Sequence, residues 1–160
     1  MSALARSASP CGASISIEAF EDGTVDPDQF DHEAHIYVGW SYLQLYELQE
    51  AIDRFSAALR RLTKKLGVET KYHETITWFF MILIADRRST SESFDWQLFK
   101  QRNADLFARR PSILSHYYSD ERLGTSLART QFVLPDRVPL TRNIEPRLHE
   151  TSEEPLDPTF

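Results

Sequence analysis

The sequence predicts an all-α fold: one compact helical bundle of about five to seven helices, with disordered N- and C-terminal tails. Three observations predict it. Apolar residues recur at steps of three and four, most clearly at Leu48, Ile52, Phe55, Leu59, Leu62 and Leu66. Charges follow the helix dipole, with Glu47 and Glu50 entering that segment and Lys64 and Lys65 leaving it. Finally, 160 residues with 41% apolar and 12% aromatic content can bury one ordinary core.

Residues 1–14 are rich in Ser, Ala and Gly without periodicity and read as a flexible tail. A short helix follows near Ile15 to Glu21, interrupted by Gly23, and Asp26-Pro27-Asp28 is a turn that leads into the next helix. That first long helix spans about Asp28 to Tyr46, with Ile36, Trp40 and Leu43 on its apolar face. The second runs from Leu48 to Leu66, and Gly67 supplies the left-handed residue that ends it. A third begins at Thr70 as N-cap and reaches Arg88. Its stretch Thr77 to Ala85 is apolar on nearly every side, which also suits a buried strand. Continuation through Asp86-Arg87-Arg88 without turn residues favours a central helix.

Helical turns follow at 94–103 and at Leu106-Phe107. A short helix is opened by Pro111 and reaches Tyr117, and another is capped by Ser119. Helical character fades by Val133, so the helical domain is 15–133. Five prolines among many charges make 134–160 a Pro-rich acidic tail, with Val138, Leu140 and Ile144 able to lie along the domain.

Several function classes are excluded or disfavoured. The net charge of −6 and the dispersed basic pairs argue against nucleic acid. The longest apolar run, Trp78 to Ala85, falls far short of the ~20 residues that span a bilayer. With a single cysteine, Cys11, and no export signal, the reading is cytoplasmic. The glycines at 12, 23, 39, 67 and 124 build no phosphate cradle, and the chain has no G-x-S-x-G, C-x-x-C or H-E-x-x-H. Trp40 to Leu59 suggests a tetratricopeptide unit but fails on spacing and lacks a second copy.

The chemistry concentrates in histidines. His32 and His35 are three residues apart and share a helical face, above which Gly39 leaves room; His73 can approach from the third helix. Three imidazoles with an open position suit one divalent zinc, iron or copper ion. Glu74 points away from His73 and serves better as catalytic base for a metal-bound water, or as a partner that orients a histidine. Thr77, Tyr118 and Arg122 are the substrate-binding candidates, with Arg122 suited to a carboxylate. Two simpler readings stand beside this one. In one the histidines form a metal-free polar pocket; in the other they, with Glu33 and Glu74, only support helix ends and core. Ser119 likewise reads more simply as a helix cap, with Tyr117 or Tyr118 packed on the core.

The motifs Phe30-x-His32-x-x-His35, Tyr72-His73-Glu74-Thr75-Ile76-Thr77, Tyr117-Tyr118-Ser119-x-Glu121-Arg122-Leu123 and Phe132-Val133-x-Pro135-Asp136 carry a likeness. Over about Phe20 to Asp136 the chain resembles a family of small uncharacterised bacterial helical proteins. The resemblance implies one helical unit whose polar motifs belong together, and no reaction. Two functions follow as expectations. One is a metal-dependent enzyme acting on a small molecule; the other is a non-enzymatic binding or accessory module that docks a protein partner.

Overall fold

The computed structural model describes residues 15–89 and 94–140. Among them the fold is all-α, with no strand and one isolated bridge between Arg109 and Ser112. The expectations for residues 1–14, Cys11 among them, and for Ile144 and the rest of 141–160 lie outside the described residues.

Three long helices form the centre: α2 (His32–Leu45), α3 (Leu48–Lys65) and α4 (Glu74–Ser89), each packed on the other two. Helix α1 (Ile17–Glu21) lies on α2 and α3. It plants the fully buried Phe20 among Phe30, Tyr42 and Phe55, with ring centroids 5.3, 6.1 and 5.2 Å away. Short helices α5 (Trp96–Arg102), α6 (Ala104–Phe107), α7 (Ile113–Tyr117), α8 (Asp120–Leu123) and α9 (Ser126–Thr130) complete the described chain. Of these, α6 contacts α2 and α9 contacts α4.

Local chemistry sets these boundaries. The helix expected from Asp28 is divided, because Asp26 caps a 3-10 turn over Pro27–Gln29 and Asp31 separately caps α2 by accepting from Ala34 N at 3.0 Å. Helix α3 ends as expected, with Gly67 at φ 68°. Thr70 does not cap α4; it sits in a 3-10 turn, Glu69–Lys71. The stretch 77–85 is helical throughout, and Phe79, Met81, Leu83 and Ile84 are buried on it. Ser112 caps α7, so Pro111 lies just outside it, and Ser119 caps α8 as expected.

Gly39 allows α2 to approach α4 closely: a Cβ there would meet Met81 Sδ at 2.9 Å and Ile84 Cδ1 at 3.3 Å. The room expected above the histidine pair is therefore taken by side chains of α4.

The segment after α9 is held firmly although it forms no helix. Thr75 Oγ1 lies 2.7 Å from Ala128 O and 2.8 Å from Gln131 O, and accepts from Val133 N at 3.2 Å. The Tyr118 hydroxyl donates to Val133 O at 2.8 Å, and Asp136 accepts from Ser119 N and its hydroxyl at 2.9 and 2.5 Å. Arg137 N donates to Tyr117 O at 3.0 Å, and Leu140 packs against the core. Three of the sequence motifs, those at 72–77, 117–123 and 132–136, thus meet through α4 and the coil of 131–137. No described helix is long and apolar enough to cross a membrane.

Candidate functional site: a histidine-lined apolar cavity

A cavity of about 740 Å³ opens between α2, α3 and α4. Its walls are mainly apolar. Helix α2 contributes Ile36, α3 contributes Phe55, Leu59 and Leu62, and α4 contributes Ile76, Phe80, Met81 and Ile84. These are the stripes that the three-and-four spacing exposes, turned toward one another. His32, His35, His73 and Thr77 line the same cavity, together with Asp31, Lys71, Tyr72 and Arg109.

Each histidine commits one ring nitrogen to a backbone carbonyl. His32 Nε2 donates to Leu106 O at 2.8 Å, joining the start of α2 to α6, and its ring meets Phe80 edge-on with centroids 5.3 Å apart. His35 Nδ1 donates to Asp31 O at 2.7 Å, and the ring lies against Phe30 at 3.9 Å between centroids. His73 Nε2 donates to Leu123 O at 2.9 Å, while its Nδ1 accepts from Ile76 N at 3.4 Å. Since a carbonyl only accepts, each of these nitrogens carries the proton, and each ring retains at most one lone pair.

The helix-capping role of His73 consumes its remaining lone pair. With both nitrogens engaged it has nothing to offer a metal, and only His32 Nδ1 and His35 Nε2 are left without a partner among the described residues. Two nitrogens fall short of the three protein ligands that even an open zinc site needs. Among the described residues no group of three His, Cys, Asp or Glu side chains is gathered to hold an ion. The donor set does not fit the metal expected from the sequence.

Glu74 is occupied elsewhere. Its carboxylate accepts from Arg60, from the Tyr72 hydroxyl at 2.5 Å and from Trp78 Nε1 at 2.8 Å, and it does not line the cavity. The Arg60 guanidinium also lies 4.8 Å over the Tyr72 ring. This cluster braces Tyr72, which forms part of the cavity wall. Burial, reinforced by the bond to Glu74, raises the Tyr72 phenol above its ordinary value. A carboxylate that accepts from three donors and lies off the cavity lining is held for structure.

No family model, curated protein or solved structure matches the chain. The resemblance to small bacterial helical proteins therefore rests on its motifs alone, and the site must be read from its own chemistry.

The remaining expected substrate-binding residues divide. Thr77 lines the cavity and donates its hydroxyl to His73 O at 2.9 Å, which leaves oxygen lone pairs. Tyr118 and Arg122 are not on the cavity. Tyr118 is fully buried edge-on to Phe79, and burial pushes its phenol up to about 12. Arg122 Nε reaches Leu134 O at 3.3 Å. Both help secure the coil after α9.

Sequence reasoning missed Lys71 and Arg109, which lie at exposed positions on the cavity lining. Lys71 is a single cation in a 3-10 turn and Arg109 belongs to the Arg109-Arg110 pair, which reads from sequence as a solvated charge, so no spacing rule marks either as cavity lining. Burial holds the His35 imidazole below its ordinary value, partly offset by its bond to Asp31, with nearby His32 adding to the lowering. The ring is thus kept neutral, with Nε2 as a hydrogen-bond acceptor.

Proposed function

We propose that this chain binds a small molecule with an apolar body in the cavity between α2, α3 and α4, and that binding requires no metal. The observation that carries the reading is the cavity itself. Its volume of about 740 Å³ falls within the ~300–1,000 Å³ typical of ligand pockets, and a largely apolar wall is interrupted by a few polar groups. Neutral His35 supplies an acceptor for a ligand hydroxyl or N–H, and the Thr77 oxygen a second. His73 and Glu74 support this by fixing the start of α4 and the Tyr72 wall.

The test is a titration with straight-chain alcohols of increasing length, followed by calorimetry and by the rise in melting temperature. Affinity should grow with chain length until the cavity is full. Ile76→Trp, which places an indole in the cavity from a half-buried position, should abolish the response while circular dichroism remains helical. An unchanged response in a folded Ile76→Trp protein would place binding elsewhere and defeat the proposal.

A further inference from the structure

We infer that the ligand of this cavity is an amphipathic anion, a carboxylate-headed molecule whose acid group sits at Lys71 and Arg109 while its apolar body fills the space between the helices. The inference rests on the cavity reading above and adds the ligand's chemical class.

The chain as a whole carries a net charge of −6, yet its cavity lining reverses that balance. Lys71 and Arg109 contribute two positive charges, and Asp31 is the only acid among the lining residues. Asp31 is also poorly placed to neutralise them. One of its oxygens caps α2 through Ala34 N, and the other lies 3.9 Å from Arg109, at the limit of an ion pair between exposed side chains. Lys71 makes no side-chain hydrogen bond or ion pair among the described residues.

Three other cationic side chains on the helices are engaged. Arg87 makes two 2.7 Å bonds to Asp105, Lys100 reaches Glu33 at 2.6 Å, and Arg60 is bonded to Glu74. The contrast leaves charge available where an apolar space opens to water. A cation beside a hydrophobic pocket favours a ligand with a negative head and an apolar tail, because each part finds its complement and neither must be desolvated without a partner. A neutral ligand would leave Lys71 unpaired and Arg109 with only its long contact to Asp31, and a cationic one would meet repulsion.

Monomeric decanoate, decanol and decyltrimethylammonium share a chain and differ in head group, so their affinities for the full-length protein isolate the head. Decanoate should bind about tenfold more tightly than decanol and the ammonium compound most weakly; raising salt from low to high should erode the decanoate preference, as expected for exposed charges. In the Lys71→Ala/Arg109→Ala protein the decanoate-to-decanol affinity ratio should fall to about one. If decanol binds as well as decanoate in the unaltered protein, the anionic class is wrong and the cavity reading stands. If neither binds, the cavity reading itself falls and takes this inference with it. A preference for decanoate that survives the double substitution would overturn the assignment of the head group to these two residues.

Discussion

At the scale of single residues, the three cavity histidines are placed by backbone carbonyls, and this makes their roles separable. His73 caps α4 and satisfies Leu123 O, so His73→Ala should destabilise the fold by about 2–3 kcal/mol through a lost cap and an unpaired carbonyl. His73→Asn, which retains a capping oxygen, should lose less, about 1 kcal/mol. Urea denaturation of the three proteins checks this order, and equal losses would argue against the cap. His35 behaves differently, because burial lowers its pKa. Its unfolded-state value is near 6.5, so the unfolded chain takes up a proton first as the pH falls. The His35 contribution is therefore complete above about pH 6.5 and declines as the pH drops toward the folded-state value. Urea midpoints measured from pH 7.5 to 5.5 should fall, and His35→Gln should flatten that slope. Asp105, held low by Arg87, acts in the same direction but only below about pH 4.

At the scale of elements, what was legible in the sequence follows from where the signal is local. Helix α3 declares itself because its stripe, its terminal charges and Gly67 all lie within one segment. The all-round apolar run of α4 was ambiguous taken alone, and its helical state follows from neighbours on several sides. The starts of α2 and α4 lie later than the sequence predicts because Asp31 and His73 cap them, while Asp28 and Thr70, capping types a few positions earlier, fall in 3-10 turns. Helical periodicity led to one all-α unit, but the role of Thr75 required the fold, since its partners lie more than fifty residues away. That clip yields a prediction. Thr75→Val preserves shape but removes the acceptor of Val133 N and the one hydroxyl proton offered to Ala128 O or Gln131 O, which should destabilise by about 1–3 kcal/mol. Limited proteolysis should then cut 126–140 sooner, whereas cleavage confined to other segments would show that the clip does not hold the coil.

At the scale of the whole molecule, the cavity sets stability against function. The stripes of α2, α3 and α4 could have closed on one another; instead they line an open cavity of about 740 Å³, and the side chains facing it have fewer packing partners on that side. No periodicity in the sequence distinguishes a filled interface from a hollow one, which is why the apolar stripes were legible and the space between them was not. The consequence is a reciprocal pair of effects. A bound ligand at one hundred times its dissociation constant should stabilise the folded chain by about 2.7 kcal/mol, raising the melting temperature of a chain this size by roughly 5–10 °C. Filling the same space from within should imitate part of that gain. Ile76→Trp, at a half-buried position, should melt at or above the temperature of the ligand-free protein and respond little to ligand. Scanning calorimetry of both proteins with and without decanoate measures all four states. A variant that melts well below the parent would mean that the space is not available to an added side chain, and that the walls are packed more tightly than the cavity implies.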